Sequence, residues 1–413
     1  MNSIPLDLSY EIFSRLSTNT IARCRCVSKQ WRSILCSADF TELFLTKSSA
    51  RPSLLFAMRG ATENEFLFYC SPQIHSQNGK ASSAAYCKLK IPDDRLIFIS
   101  HASGFFCFRH EPISKKDEYT AHVMFNPSTG QTVFLPKQRT AHESFLGFDP
   151  IEKVFKVMSL IADGSLYGCI HNILTLTGEM RWRKIQCSLS HYPRSEGICI
   201  NGSLYYLAAG RDQAYYIVCF DVRSENFKFI QAEFYGPWAR SLINYKGKLG
   251  VVSWRGHNSS GYYWGENIGV NSLPMHELRL WVLEDVVEGA WSEYSYTLPV
   301  DKFGDTYRHA SDVCVIGVTA TGEIVLFKQY NYTFSVFYFH PERNTIQRVE
   351  IQGFKNQATV YASVNHVDDL TLNIKPQRVQ QDLLLFNMNY HQLQQDVHSK
   401  TNKFAVLSLL EDI

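Results

Sequence analysis

The chain has 413 residues, enough for two or three domains or for one large β domain with an accessory unit. Its net charge is +2, from 41 basic and 39 acidic residues, and no basic run is longer than Lys115-Lys116, so nothing asks for nucleic acid or an anionic membrane as partner. No window approaches the roughly 18 uninterrupted apolar residues of a membrane span.

The first residues carry Asp7 and Glu11 and no long apolar run, which predicts no secretory signal. The 11 cysteines are scattered, odd in number and without a C-x-x-C pair. Mostly buried thiols in a reducing compartment are expected, and so a cytoplasmic or nuclear protein.

The amino-terminal stretch reads as a small helical head over residues 1–47. Pro5 suits a first helical turn, where its missing N–H costs nothing. Leu8, Ile12 and Leu16 fall four apart and stack on one helical face. Residues 17–20 are all cap and turn formers, which ends the first helix there and starts a second. Ile21, Cys24 and Val27 mark an apolar edge on that second helix, Trp31, Ile34 and Leu35 a third, and Phe40, Leu43 and Phe44 a further turn or two. Three or four helices in so short a stretch bury too little apolar surface to be robust alone. The head therefore either packs on the rest of the chain or offers an apolar face to a partner.

Residues 48–52 read as a connector. From Leu54 onward short apolar runs are broken by Gly, Pro, Asn and Asp, the pattern of strands and turns. The 14% aromatic content favours strands as well. A recurrence organises this body. Segments 125–135, 220–230 and 339–349 share an aromatic strand end, a polar turn and an alternating apolar return, as an outer hairpin does. A second hairpin alternates with it, turning at Asn201-Gly202, Lys246-Gly247 and Thr321-Gly322, where glycine supplies φ > 0.

The outer-hairpin positions Thr132, Trp182, Phe227, Trp291 and Ile346 are 50, 45, 64 and 55 residues apart. Two hairpins per unit at that spacing predict four-stranded propeller blades. Five units are visible between about residues 97 and 353. A sixth can be assembled from 54–91 closed by a late strand at 359–367, which would remove an open sheet edge. The prediction is a mainly β protein with six blades over residues 48–374; seven blades or a pair of β-sandwiches are the alternatives. The tail, 375–413, reads as a helix on the body or as loosely ordered chain.

Two resemblances sharpen these expectations. Ile4-Pro5-x-Asp7-Leu8-x-x-x-Ile12-x-x-Arg15-Leu16, followed by Arg23-x-x-x-Val27-Ser28-Lys29-x-Trp31-Arg32, resembles an F-box. Segment 17–20 departs from it in lacking the proline common at its start. The resemblance implies docking on the adaptor subunit of an SCF-type cullin-RING ubiquitin ligase through Pro5, Leu8, Ile12, Leu16, Val27 and Trp31. Segments 125–131, 146–150, 197–202 and 280–285 are similar to the F-box-associated domain of plant F-box proteins, type 3 form. That implies a substrate-recruiting body whose target is a protein not yet identified.

No G-x-S-x-G elbow, Gly-Lys phosphate loop or H-E-x-x-H pattern is present, so no catalytic residue, cofactor or metal is expected. Cys24 and Cys26, two apart on a helix, point to different faces. His340 and Asp221 occupy equivalent turn positions, which suits capping better than acid–base work. Three groups of aromatic residues beside arginine are the expected target-binding loops: Tyr235, Trp238 and Arg240; Tyr262, Tyr263 and Trp264; and Tyr307 with Arg308. Competing readings are a scaffold that never triggers ubiquitination and a propeller-borne enzyme.

Overall fold

The structure is a computed structural model that describes residues 5–59, 65–73, 80–82, 84–90, 94–112, 119–139, 141, 143–164, 168–212, 214–232, 239–255, 277–298, 313–328, 334–352, 360–370 and 374. The tail predicted at 375–413 lies outside the described residues.

Four helices form the head: α1 (Leu6–Phe13), α2 (Thr18–Cys24), α3 (Lys29–Leu35) and α4 (Ala38–Ser49). Serine starts three of them. Ser17, Ser28 and Ser37 accept hydrogen bonds from the backbone N–H of Thr20, Trp31 and Phe40, satisfying donors that a helix start leaves free. Pro5 stands one residue before α1 as its cap, and its carbonyl accepts from Ser9.

The first helix is shorter than its apolar spacing predicts. It ends at Phe13, where Arg15 and Leu16 bond back three residues to Ile12 and Phe13 instead of four, and the Ser14 hydroxyl donates to the Glu11 carbonyl. Leu16 is thereby turned off the line of Leu8 and Ile12. At the other end of the head, α4 takes in Ser48 and Ser49, leaving only residues 50–52 as connector.

The body is six antiparallel sheets. In blade one, β1 (Ser53–Arg59), β2 (Glu65–Pro72) and β4 (Ala84–Lys90) are joined by the last strand among the described residues, β27 (Val360–His366). Blade two is β5 (Asp94–Ala102), β6 (Phe105–Pro112), β7 (Tyr119–Asn126) and β8 (Gln131–Phe134), with β9 (Gln138–Arg139) beside β7. Blade three is β10 (Glu143–Asp149), β11 (Val154–Ala162), β12 (Cys169–Thr175) and β13 (Arg183–Ile185).

In blade four, β14 (His191–Pro193) and β15 (Ile198–Ile200) pair with β16 (Ser203–Gly210), which continues through β17 (Tyr215–Asp221) to β18 (Phe227–Gln231). Blade five is β19 (Ala239–Tyr245), β20 (Lys248–Arg255), β21 (Glu277–Asp285) and β22 (Ala290–Thr297). Blade six is β23 (Val313–Val318), β24 (Ile324–Lys328), β25 (Ser335–His340) and β26 (Thr345–Gln352); β3 (Lys80–Ser82) adds a parallel fifth strand at its rim.

Closure follows the predicted scheme. Met58 pairs with Val360 and Phe56 with Ala362, so the two ends of the body share one sheet and no inner edge is left open. The core is divided among the blade boundaries. One apolar cluster lies between each neighbouring pair of blades, and the clusters centred on Phe56 and on Phe68 join blade one to blades six and two. Each fully buried Phe contributes about 2–3 kcal/mol of transfer free energy relative to water.

The turn chemistry is as predicted at Asp221 but not at His340, whose buried Nδ1 has no hydrogen-bond partner and so caps nothing. Asn126, Asp221 and Asp285 end equivalent third strands, and their side chains accept from backbone N–H groups two or three residues on. Asn201 and Lys246 take φ of 49° and 50° immediately before Gly202 and Gly247 at φ 84° and 85°, a turn that two ordinary residues would strain. Among the described residues no disulfide joins the cysteines, and no helix is long and apolar enough to cross a membrane.

Candidate docking surfaces

The head has its own core. Phe13, Ile21, Leu35, Phe40 and Phe44 are buried together, with Tyr10, Leu16, Cys24, Trp31 and Ile34 packed around them. Trp31 meets Phe13 edge-on at 4.9 Å. Of the six residues expected to face an adaptor, Leu16 and Trp31 are therefore half-buried in the head, while Pro5, Leu8, Ile12 and Val27 are exposed.

The exposures are high for aliphatic side chains: 55% for Leu8, 51% for Ile12 and 64% for Val27. Leu6, at 52%, is equally exposed, but two residues before Leu8 it stands on another side of α1. It lies off the four-residue spacing that picks out Leu8 and Ile12, so periodicity alone passes over it. Small soluble domains seldom leave such a set unpartnered.

Next to Leu8 and Ile12 along α1 the head is polar and pinned. Glu11 holds Arg15 at 2.6 Å and Lys47 of α4 at 2.7 Å. The hydrogen bond from Lys47, and then that from Arg15, pulls its carboxyl down to about 2. Arg51 reaches the Ser14 carbonyl.

The chain leaving β27 ties head to propeller. The Asp368 backbone N–H donates to Ser48 Oγ at 2.9 Å, and Leu370 packs on the head core. Between α4 and the propeller is a cavity of about 400 Å³, lined by Leu45 and Ser49 from the head and by His101, Asn244, Ile316 and His366 from inner strands or the turns that follow them. The head thus sits at the end of the central channel where first strands turn into second strands. Burial, with His366 facing it, lowers the His101 imidazole to about 4.

Beside this cavity Ser128, His366 and Asp368 converge. The Ser128 hydroxyl donates to Asp368 Oδ1 at 2.5 Å and lies 3.2 Å from His366 Nε2, itself 3.3 Å from the same carboxylate. A nucleophilic triad places the acid on the far ring nitrogen. Here one nitrogen faces both partners and the hydroxyl gives its proton to the carboxylate, so the trio is wired as a strut between blade two and the exit from β27.

The expected target loops lie mostly outside the described residues: Tyr235, Trp238, Tyr262, Tyr263, Trp264, Tyr307 and Arg308 all do, and so does the side chain of Arg240, whose backbone is in β19. The strand ends that bracket them are described. Gln231 and Ala239, Arg255 and Glu277, and Thr297 and Val313 all stand at the end of their blades away from the Tyr245–Lys248 type of turn and hence away from the head.

Sequence reasoning passed over one cluster. His171 on β12, Cys187 in the β13–β14 connection and His191 on β14 place their ligand atoms within 4.8 Å of one another. Burial holds His171 down to about 4, with His191 facing it, and burial also lowers His191. Only the closely spaced Cys187 and His191 could have drawn attention, since His171 comes from another strand.

A six-bladed propeller carrying a helical head with an uncovered apolar ridge is the class of protein that this geometry defines. Residues 1–43 match the F-box domain family, and residues 53–371 match the F-box associated beta propeller domain family. The chain belongs to the F-box proteins with an F-box-associated propeller.

It is 45% identical over 391 residues to an F-box protein of Arabidopsis thaliana, covering 91% of this chain and 67% of that one. It is 42% identical over 420 residues to the Arabidopsis F-box protein At2g15640, covering 90% of this chain and 94% of that one. Among solved structures, TolB from Acinetobacter baumannii superposes with a TM-score of 0.43 at 10% identity, over 76% of this chain and 66% of that chain. A six-bladed fungal lectin from Aleuria aurantia superposes at 0.38 and 10% identity, over 72% and 96%.

Proposed function

We propose that the protein is the substrate-recognition subunit of an SCF-type ubiquitin ligase: the head docks on the adaptor, and through it on the cullin, while the propeller holds a target protein. The observation that carries this reading is the set of Leu8, Ile12 and Val27, each more than half exposed on a head whose core is already packed. Leu16 and Trp31 act behind the ridge, holding it in shape. An adaptor seated there would bury about 1,200–2,000 Å² in total, anchored by those few side chains. Such a receptor works in the cytosol or nucleus.

The chain need supply no catalytic group for this role. Proximity raises the effective concentration of the target beside the charged conjugating enzyme. The aromatic groups around Trp238, Trp264 and Tyr307 are the proposed target contacts, since the strands that carry them end on the face turned away from the adaptor.

The test is capture of a purified SKP1-like adaptor by full-length protein. Leu8→Asp with Ile12→Asp should weaken capture by roughly 1,000-fold, the loss of two anchors of about 2 kcal/mol each, with the melting temperature unchanged. Wild-type capture by that variant would end the adaptor assignment. Alanine replacement across the three aromatic groups should abolish capture of a target while sparing the adaptor, and unchanged target capture would remove them from the recognition surface.

A further inference from the structure

We propose that His171, Cys187 and His191 form a site for a zinc-class divalent cation that staples blade three to blade four. The three side chains come from three places in the chain: β12 of blade three, the connection between blades, and β14 of blade four. His171 Nε2 and His191 Nε2 are 3.4 Å apart. That separation matches the edge of a tetrahedron built on zinc–nitrogen bonds of 2.0–2.1 Å, about 3.3 Å. Cys187 Sγ lies 3.8 Å from His191 Nδ1 and donates to the Leu189 carbonyl at 3.3 Å, so to ligate it turns from that carbonyl toward the Nε2 side of the ring.

The hydrogen bonding of the pair is incomplete without a cation. His191 Nδ1 is 2.9 Å from the Leu189 carbonyl, so it is the protonated nitrogen and Nε2 carries the lone pair. Two groups point at that lone pair: the Tyr206 hydroxyl at 2.7 Å and His171 Nε2 at 3.4 Å. The His171 ring donates to the Cys169 backbone, so its Nε2 faces His191 with a second lone pair and no donor between the two rings, at a place where Tyr206 and His191 are 0% and His171 3% exposed. A cation between the two Nε2 atoms uses both lone pairs at once. The Leu189 carbonyl then acts as the outer partner that commonly orients a metal-bound histidine.

The ligand set selects the ion. Two imidazoles and a thiol, with no carboxylate, suit zinc or its cobalt substitute and not calcium or magnesium. A cavity of about 260 Å³, lined by Gln186, Cys187, Ser188, Glu225, Asn226 and Phe227, gives the thiol a path to solvent. On binding, Cys187 releases its proton to that solvent and a sulfur–metal bond takes the place of the S–H bond. Tyr206 or a water completes four-coordination. The role is structural: it fixes the boundary at which His171 and His191 meet.

The experiment uses full-length protein stripped with a chelator and titrated with Co²⁺. The expected result is one equivalent bound, a thiolate-to-cobalt charge-transfer band, displacement by Zn²⁺ and a higher melting temperature with either ion. Cys187→Ser should lose the band and weaken binding roughly tenfold or more, whereas Cys26→Ser, altering an exposed thiol on the head, should keep both. A wild-type protein that shows no saturable band and no thermal shift holds only a neutral tyrosine–histidine chain, and the proposal fails. It fails equally if the band survives in Cys187→Ser. Should that variant not fold, the wild-type titration decides alone.

Discussion

Across the boundary between blades one and two, Phe66 and Phe68 meet Phe106 and Phe108 with ring centroids 4.7–6.3 Å apart and essentially no exposure, whereas on the head Leu8, Ile12 and Val27 stand more than half in solvent. Composition alone does not separate these residues, since each is a large apolar side chain in a regular element or beside one. Topology separates them. A closed ring gives every blade two neighbours and therefore a partner for both faces of its sheet, while four short helices enclose one small core and leave the outer side of α1 uncovered. Stability should be concentrated in the ring and binding in the ridge.

Truncation in the ring is the hardest test of that contrast. Phe68→Ala removes a ring that contacts Phe106, Phe108 and Phe125 at a fully buried position, and should cost about 3–5 kcal/mol. Denaturant unfolding of the propeller measures it. A loss under about 1 kcal/mol would mean that the blade boundaries do not carry the fold.

Within the head, Trp31 and Val27 are predicted to part company although both stand in the adaptor-facing set. Trp31→Ala empties the space beside Phe13 and should destabilise the head by about 3 kcal/mol. Val27→Asp changes an exposed side chain and should leave stability within about 0.5 kcal/mol, while still lowering adaptor capture. Equal stability losses in the two variants would erase the distinction between ridge and core.

These two residues also show how far the sequence could be read. Six blades, their closure by a late strand and the glycine turns were legible because each blade repeats the same two hairpins, and repetition makes a weak local signal strong. Leu16 was legible as apolar but not in direction. Its spacing from Ile12 presumes a helix that continues, and the three-residue bonds after Phe13 end that helix one turn early. The cluster of His171, Cys187 and His191 was legible only as the near pair Cys187 and His191, since His171 joins them only once two blades are packed side by side. Asp221 was the reverse case, a local signal read locally that needed no tertiary context, whereas His340, read the same way, makes no cap bond.

A smaller effect should come from the caps. Ser28→Ala leaves the Trp31 backbone N–H without its acceptor at the start of α3 and should cost about 1 kcal/mol. Because α3 carries Trp31 against Phe13, the loss should appear in head unfolding followed by tryptophan fluorescence. It should not appear in the unfolding of the ring.

The least costly perturbation is a proton, and here the two regions should respond with opposite sign. Glu11 sits on the head surface with its carboxyl lowered from 4.5 to about 2 by Lys47 and then Arg15. A carboxylate lowered in the folded state contributes stability above its unfolded value, and that contribution disappears as pH falls from 4.5 to about 2. Glu196 keeps solvent access, yet protein encloses it, and loss of solvation followed by the nearby Glu143 carboxylate raises it to about 7. The folded protein then holds a proton that the unfolded chain has already given up, so its contribution is complete below 4.5 and lost as pH rises through about 7. Melting temperature followed against pH should therefore show Glu11→Gln flattening only the acid limb, and Glu196→Gln gaining on wild type between about pH 5 and pH 8. Both effects are small because water screens side chains that keep access to it. A Glu196→Gln curve parallel to wild type across the neutral range would place that carboxylate in open solvent, ionised like any other, and the pH contrast between head and ring would vanish.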